Sequence, residues 1–220
     1  MKIIAKIINE YECKFGIPRQ SGLINGVESL IVFEKEFKDE NFIRGIEEFS
    51  HLWLIWQFSK NADKNASPTV RPPKLGGNER VGVFATRSPF RPNPIGLSSV
   101  KLERVEKTLK FGTCLVVSGA DLLNGTPIYD IKPYLSYTDC HLDAQGGFTQ
   151  RANTNPLKVE FKTKVNEVLK TKLAEILSLD PRPSYQTDSE RIYSFEFSGH
   201  NIKFKVINDT AVVTEIRKHE

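Results

Sequence analysis

Short segments in which hydrophobic and polar residues alternate recur along the chain and predict a mainly β protein. The predicted strands occupy residues 3–8, 28–33, 50–58, 81–86, 97–105, 108–118, 191–197, 202–207 and 211–216. A further strand ends at residues 130–133, after Asn124 and Gly125, a pair that favours tight turns. Residues 50–58 are almost continuously apolar, which predicts a strand that is buried on both faces.

Two segments have the spacing of amphipathic helices instead. Apolar residues that recur near helical spacing between residues 37 and 49 predict a short helix. The same pattern over residues 165–177, with lysines and glutamates between the apolar positions, predicts a second helix. This helix and the three strands after it indicate a small α+β unit. We therefore expect two domains, residues 1–155 and residues 156–220.

Composition narrows the class of protein without assigning a function. The 220 residues carry a net charge of +4, which permits nucleic-acid binding but does not require it. Three cysteines without a CxxC pair indicate neither a disulfide framework nor a thiolate zinc site. No apolar run approaches the length of a transmembrane helix, and the charged start of the chain is unlike a signal peptide. A cytoplasmic protein without a membrane segment is expected.

Residues 81–98 form the segment with the clearest candidate chemistry. Three prolines, Pro89, Pro92 and Pro94, stiffen this segment because each fixes its own φ and restricts the residue before it. The same loop carries Arg87 and Arg91. A rigid loop that holds two cations in place is suited to bind an anionic group. A stiff connection with solvated arginines explains the pattern equally well.

Two more proline-rich loops carry polar side chains, and for the first of them a plain surface loop is the alternative explanation. Residues 15–22 place Arg19 and Gln20 directly after Pro18. Residues 180–186 present three polar side chains around two prolines: Asp180, Arg182 and Tyr185. Residues 61–78 are polar, basic and rich in Pro and Gly, which is typical of an RNA-contacting loop, a lid or a solvated linker.

These segments together resemble a known family. Residues 81–98 read Val-Gly-Val-Phe-Ala-Thr-Arg-Ser-Pro-Phe-Arg-Pro-Asn-Pro-Ile-Gly-Leu-Ser, which is similar to the signature of the TsaA-like family, also called TrmO. Three further matches are Pro-Arg-Gln at residues 18–20, Gly-Thr-Pro followed by Asp-Ile-Lys-Pro-Tyr at residues 125–134, and Asp-Pro-Arg-Pro-x-Tyr at residues 180–185. The resemblance therefore extends over almost the whole chain.

The resemblance implies a fold, a reaction and partners. It implies a homodimeric methyltransferase that uses S-adenosylmethionine and methylates N6 of threonylcarbamoyladenosine beside the anticodon of tRNA, with tRNA-Thr as the expected substrate. The catalytic domain would be β-barrel-like and unrelated to Rossmann methyltransferases. The small α+β C-terminal domain would help to hold the tRNA, and it carries four basic residues suited to that role: Lys203, Lys205, Arg217 and Lys218.

The resemblance also implies a set of cofactor-binding residues: Pro18, Arg19, Gln20, Ser59, Lys60, Arg87, Leu97, Asp130, Ile131, Lys132 and Pro133. Ser59 stands where the family commonly has histidine. We expect Arg19 or Arg87 to bind the methionine carboxylate, because a planar guanidinium can do so in bidentate fashion. Backbone groups near Leu97 and Ile131 would then contact the adenine.

The methyl acceptor is a weakly nucleophilic nitrogen, so transfer needs alignment and help in losing a proton. Asp130 is a candidate base, and Tyr185 and Asp180 are alternatives between which the sequence does not choose. Arg91 or Arg182 would bind the threonyl carboxylate of the substrate.

An RNA-binding protein without catalysis and a hydrolase are the two alternative functional classes. A basic β-domain could bind RNA without catalysis, although the sequence lacks the paired aromatic motif of an RNA-recognition domain. A hydrolase could use Cys140 or His141, but adjacent residues rarely place a base against the neighbouring thiol. The sequence has no GxGxxG after a strand, so no Rossmann cofactor site is indicated.

Overall fold

The computed structural model describes residues 1–61, 65–75, 79–151, 155–183, 185–186 and 188–219. Within these ranges the chain forms twelve β-strands and two α-helices. They are β1 Ala5–Ile8, β2 Glu28–Phe33, β3 His51–Gln57, β4 Thr69–Val70, β5 Val81–Gly82, β6 Ile95–Thr108, β7 Gly112–Ser118, β8 Pro127–Pro133, α1 Ser136–Asp139, β9 Lys158–Phe161, α2 Glu167–Ser178, β10 Tyr193–Phe197, β11 His200–Ile207 and β12 Thr210–Lys218. The prediction of a mainly β protein is confirmed. Among the described residues, no helix is both long and apolar enough to cross a bilayer.

Six antiparallel strands form a barrel in the order β1-β2-β7-β6-β3-β8. The ring is completed by a short ladder between β1 and β8, in which Ala5 pairs with Ile128 and Lys6 with Pro127. Alternate side chains point inward, as the period of a strand requires. The barrel core is apolar and includes Ile7, Ile31, Leu52, Leu54, Trp56, Leu115, Val117 and Ile128.

Strand β3 has one buried face and one partly exposed face. Leu52, Leu54 and Trp56 are buried, whereas Trp53 and Ile55 between them are partly exposed. The prediction that this segment is buried on both faces was therefore wrong. A barrel strand has a single interior to fill, and the apolar residues on its other face lie on the outer wall.

The C-terminal unit is a four-stranded sheet in the order β10-β11-β12-β9, accompanied by helix α2. Helix α2 was predicted correctly, and Asn166 caps it by accepting a hydrogen bond from the Leu169 amide. The sequence predicted three of these four strands and missed β9, which pairs in parallel with β12.

The core of the C-terminal unit also contains side chains from the N-terminal part of the chain. Tyr11, Ile24 and Val27, from the connection between β1 and β2, are buried in it. The Tyr11 and Phe197 rings lie 5.5 Å apart between centroids. One apolar core therefore joins the β1–β2 connection to the C-terminal sheet.

The helix predicted near residues 37–49 does not form. The segment consists of three separate 3₁₀ turns, Lys35–Phe37, Glu40–Ile43 and Ile46–Glu48. Gly45 interrupts any continuous helix because it adopts a left-handed conformation with φ of 84°. The apolar residues still cover the barrel, since Ile43, Ile46 and Phe49 pack against its core.

Three predicted strand boundaries also need correction. Of residues 81–86 only Val81–Gly82 is a strand, and Val83–Ala85 forms a 3₁₀ turn. The strand predicted at 97–105 extends from Ile95 to Thr108, and the next begins at Gly112 instead of Thr108. The long partners β6 and β7 pair up to Thr108 and Gly112, so the turn lies several residues later than the pattern indicated.

Candidate functional site

The three proline-rich loops meet around one cleft of about 1330 Å³. Pro18, Pro89 and Pro181, one from each loop, contribute to its wall. The cleft lies where the open end of the barrel faces the β1–β2 connection and the segment after helix α2. Of the residues proposed from the sequence, eight line it: Pro18, Arg19, Gln20, Ser59, Lys60, Arg87, Arg91 and Leu97.

Hydrogen bonds from two arginines connect the three loops. Arg87 Nη1 donates to Gln20 Oε1 at 2.6 Å. Arg19 Nη2 donates to the carbonyl oxygens of Pro181 at 3.2 Å and Arg182 at 3.0 Å. Burial lowers the pKa of Arg19 from its usual value, and the charge of Asp180 opposes this effect. A guanidinium remains protonated despite such a shift, so the cleft wall holds two fixed cations.

Arg91 is folded back onto its own loop. Its Nη1 donates to the carbonyl oxygens of Thr86 at 3.1 Å and Ser88 at 3.4 Å. The Thr86 hydroxyl accepts a hydrogen bond from the Ser88 amide at 3.2 Å. The loop is therefore tied together internally, as the prolines suggested, and the binding of a substrate carboxylate by Arg91 stays a prediction.

Asp180 and Arg182 form an ion pair with each other. Arg182 Nε and Nη2 donate to the two carboxylate oxygens of Asp180, at 2.8 and 3.0 Å. Their side chains are only 19% and 13% exposed, and neither lines the cleft. The hydrogen bond to Asp180 raises the pKa of Arg182. The pair fixes the backbone carbonyls that hold Arg19, which is a structural task different from the roles that the sequence indicated.

Tyr185 is also outside the cleft. Its side chain is 59% exposed, and it is not among the lining residues. Its role as a base therefore stays a prediction without support from the geometry.

Asp130–Pro133 lie on the wall of the barrel outside the cleft. Asp130 Oδ2 and Lys132 Nζ are 3.0 Å apart, as their position on one strand face predicts. Leu97 and Asp130 both pair with Ile55, so they occupy one row across β6, β3 and β8, separated by two strand spacings or roughly 10 Å. Ile131 packs toward the barrel core. The predicted cofactor residues thus fall into two separate groups within the chain.

Asp121 is a site residue that the sequence analysis missed. It lines the cleft, and its Oδ1 accepts a hydrogen bond from Ser98 Oγ at 2.5 Å. Burial raises the pKa of Asp121, and the Ser98 hydrogen bond and the charge of Arg87 oppose this. A signal was present, because Asp121 stands between Ala120 and Leu122, and a carboxyl in an apolar setting needs a partner.

The remaining candidates lie elsewhere or outside the described residues. Cys140 and His141 are exposed, and neither lines the cleft, which gives no support to a hydrolase. In the basic segment 61–78, residues 62–64 and 76–78, including Lys64, lie outside the described residues. Three of the basic C-terminal residues pair with glutamates: Lys203 and Arg217 with Glu215, and Lys205 with Glu190.

A β-barrel whose end opens into an arginine-lined cleft, beside a small α+β sheet, defines a class of two-part proteins without a Rossmann cofactor site. Family comparison places this chain within that class. The family described as "tRNA-methyltransferase O N-terminal domain" matches residues 6–140, and "TrmO C-terminal domain" matches residues 148–219. The chain belongs to the TrmO family.

Relatives and solved structures agree along nearly the whole chain. The "tRNA (adenine(37)-N6)-methyltransferase" of Escherichia coli (strain K12) is 38% identical over 215 residues, covering 92% of this chain and 91% of the relative. The protein of the same name from Eikenella corrodens is 40% identical over 173 residues, covering 76% and 97%. A TrmO crystal structure superposes with a TM-score of 0.79 at 29% identity, covering 98% of this chain and 97% of the other. A TrmO structure from Pseudomonas aeruginosa superposes with a TM-score of 0.77 at 27% identity, covering 97% of this chain and 96% of the other.

Proposed function

We propose that this protein is a methyltransferase that uses S-adenosylmethionine and methylates N6 of the adenosine at position 37 of tRNA. Its substrate is tRNA, with tRNA-Thr expected, in which that nitrogen already carries a threonylcarbamoyl group. The observation that carries the proposal is the convergence of residues 18–20, Ser59, Lys60 and Arg87 on one cleft, in a chain that matches the family from end to end. Because the proposed substrate is tRNA, the proposal includes a cytoplasmic location.

The chemistry of the cleft wall fits S-adenosylmethionine. Arg87 offers a guanidinium for the carboxylate of the methionine part, and Gln20 fixes that guanidinium through its 2.6 Å hydrogen bond. Leu97 and Ile95 offer apolar contact area for the adenine. The cofactor supplies an electrophilic methyl group on a sulfonium. The cleft residues bind and orient the two reactants, which accounts for much of the rate in a direct transfer.

A homodimer is part of the proposal. The separation of Asp130–Pro133 from the cleft of their own subunit supports it, because these residues would contribute to cofactor binding if they faced the cleft of a second copy. Light scattering after gel filtration measures the state directly. A mass of two chains agrees with the proposal, and a monomer at micromolar concentration contradicts this part of it.

The decisive experiment uses two samples of tRNA-Thr, one carrying threonylcarbamoyladenosine and one unmodified. Each is incubated with the protein and S-adenosylmethionine, then digested, and the nucleosides are analysed by mass spectrometry. We expect the mass of one methyl group to be gained on the modified adenosine only. Cofactor binding without methylation of either sample would reject the substrate, and tRNA binding that ignores the cofactor would favour an RNA-binding protein without catalysis.

A further inference from the structure

Asp121 occupies a distinctive place in the cleft. It follows strand β7, at the end of the barrel that opens into the cleft. Among the described residues it is the only acidic side chain in the cleft wall. Asp130 and Asp180 lie outside the cleft, and each has a cationic partner on its own loop or strand. The cleft therefore presents one carboxyl group to whatever binds there.

Two buried side chains fix the Asp121 carboxyl group. The indole Nε1 of Trp56 donates to Ser98 Oγ at 2.9 Å. An indole N–H can only donate, so the Ser98 hydroxyl must use its own hydrogen for Asp121 Oδ1, 2.5 Å away. Ser98 is fully buried, and Trp56 is locked in the barrel core. The carboxyl group is thus an acceptor with a fixed orientation before any substrate arrives.

The charges around Asp121 suit a group that gains and loses a proton during turnover. Burial raises the pKa of Asp121, while the Ser98 hydroxyl and the charge of Arg87 hold it down. The Asp121 charge also acts on Tyr11: burial raises the pKa of that phenol most, and the charges of Glu175, Glu10 and Asp121 add to the effect. A carboxyl whose proton affinity exceeds that of an exposed aspartate is a better general base near neutral pH.

We propose that Asp121 is the general base that takes the proton from the acceptor nitrogen of the adenosine. This inference rests on the proposed methyltransferase function. As the nitrogen lone pair forms the bond to the methyl carbon, the carbon–sulfur bond breaks and its electron pair stays on sulfur. The N–H bond breaks, its proton moves to the Asp121 carboxylate, and solvent later removes that proton. Ser98 and Trp56 are positioning residues that act through Asp121.

The first test is Asp121→Asn, measured as the single-turnover rate of methyl transfer to modified tRNA across a range of pH. Loss of a positioned base costs about 10²–10⁴-fold. We expect a decrease of that size, loss of the acidic limb of the profile and little change in the equilibrium affinity for S-adenosylmethionine. The matched control is Asp143→Asn, an exposed aspartate outside the cleft, which should keep the wild-type rate and profile.

The second test is Ser98→Ala, which keeps the base and removes one hydrogen bond. That bond favours the charged carboxylate, so its loss raises the pKa of Asp121 further and moves the acidic limb to higher pH. The rate well above the limb should fall less than in Asp121→Asn, because the base is still present but less firmly oriented, and the displacement of the limb is the readout that a merely structural role would not produce. A purely structural role for Ser98 would lower the rate equally at all pH values and would contradict the proposal.

The outcomes separate this inference from the proposed function. If the wild-type protein methylates the tRNA and Asp121→Asn keeps both rate and acidic limb, the inference is wrong and the function stands. If Asp130→Asn removes the limb while Asp121→Asn does not, the base is Asp130. If wild-type protein transfers no methyl group, the proposed function itself fails. Thermal melting and cofactor affinity of each variant show whether it is folded.

Discussion

The indole of Trp56 packs directly over Gly96 and occupies the space that a Cβ atom at residue 96 would need. A Cβ added to Gly96 would lie 2.2 Å from Trp56 Cε2, far inside contact distance. The two residues face each other across paired strands β3 and β6. Glycine at residue 96 therefore leaves the space in which the Trp56 indole packs. In this position Trp56 donates its hydrogen bond to Ser98 beside the cleft.

Gly96→Ala tests this steric dependence. Alanine in place of glycine often stabilises a protein by restricting the unfolded chain, but overpacking here should cost about 1–3 kcal/mol. Thermal unfolding should show a lower Tm, by roughly 2–4 °C for each kcal/mol lost. Gly82→Ala is the matched control, because its Cβ would meet nothing within 4 Å. Equal melting temperatures for the two variants would show that Trp56 can move aside.

At the scale of single residues, the sequence indicated Arg19 and Arg87, which line the cleft, and missed Asp121, which also lines it. Arg19 and Arg87 could be predicted because the prolines near them in the sequence indicate rigid loops. The sequence marks Asp121 only as a carboxyl between two apolar residues. Its place in the cleft depends on Ser98 and Trp56, which come from other strands and approach it only in the folded barrel.

The loop of residues 15–22 is held by the C-terminal unit, which was expected to contact tRNA. The Phe15 ring lies 6.2 Å from that of Tyr193 and 6.3 Å from that of Phe204. At the other end of the loop, Arg19 is bound by two carbonyls of the segment that follows helix α2. The C-terminal unit therefore shapes the part of the cleft wall that carries Arg19 and Gln20.

Asp180→Asn should weaken cofactor binding from outside the cleft. Asparagine tolerates the left-handed conformation of this residue, which has φ of 47°, but it removes the ion pair with Arg182. The carbonyls that hold Arg19 would lose their fixed position, and we expect about a tenfold weaker affinity for S-adenosylmethionine, equivalent to about 1.4 kcal/mol. Calorimetric titration with the cofactor measures it.

The control for that variant is Asp188→Asn. Asp188 is exposed and accepts a hydrogen bond from the Glu190 amide, which asparagine can also accept. Its cofactor affinity should match that of the wild type. Unchanged affinity in Asp180→Asn would mean that Arg19 does not depend on the ion pair.

At the scale of elements, the quality of prediction followed the regularity of the local pattern. Strand β2 was predicted to the residue, as Glu28–Phe33, because its alternation is clear at both ends. The segment near residues 37–49 was misjudged because apolar residues spaced three or four apart also suit a chain that covers a barrel in separate turns. Gly45 was the local indication against a helix.

The two parts of the molecule share so much buried surface that we expect them to unfold together. Tyr11, Ile24 and Val27 belong to the same core as the C-terminal sheet. The ion pair between Lys172 and Glu10 and the hydrogen bond from the Gly26 amide to Glu175 cross the same boundary. Differential scanning calorimetry should therefore show one transition, with matching calorimetric and van't Hoff enthalpies. Two separated transitions would show that the parts are independent.

At the scale of the whole molecule, the sequence indicated the fold class and the family. It gave no indication that the two parts share one apolar core. The mainly β character and the family followed from patterns and motifs that are local. The shared core joins residues such as Tyr11 and Phe197, which are distant in the chain, and composition carries no trace of such pairing. The proposed boundary between residues 155 and 156 marks a change in composition and motif, while the physical junction runs through residues 9–27.

That shared core limits how the two halves can be exchanged between related proteins. Consider a hybrid that joins the barrel of one parent to the C-terminal unit of another at residue 156. Its β1–β2 connection comes from the barrel parent and is shaped to pack against that parent's own C-terminal unit. For a hybrid to fold, residues 9–27 must come from the same parent as the C-terminal unit. These same residues include Arg19 and Gln20, so a hybrid that takes the C-terminal unit from one parent also takes part of the cleft wall from that parent.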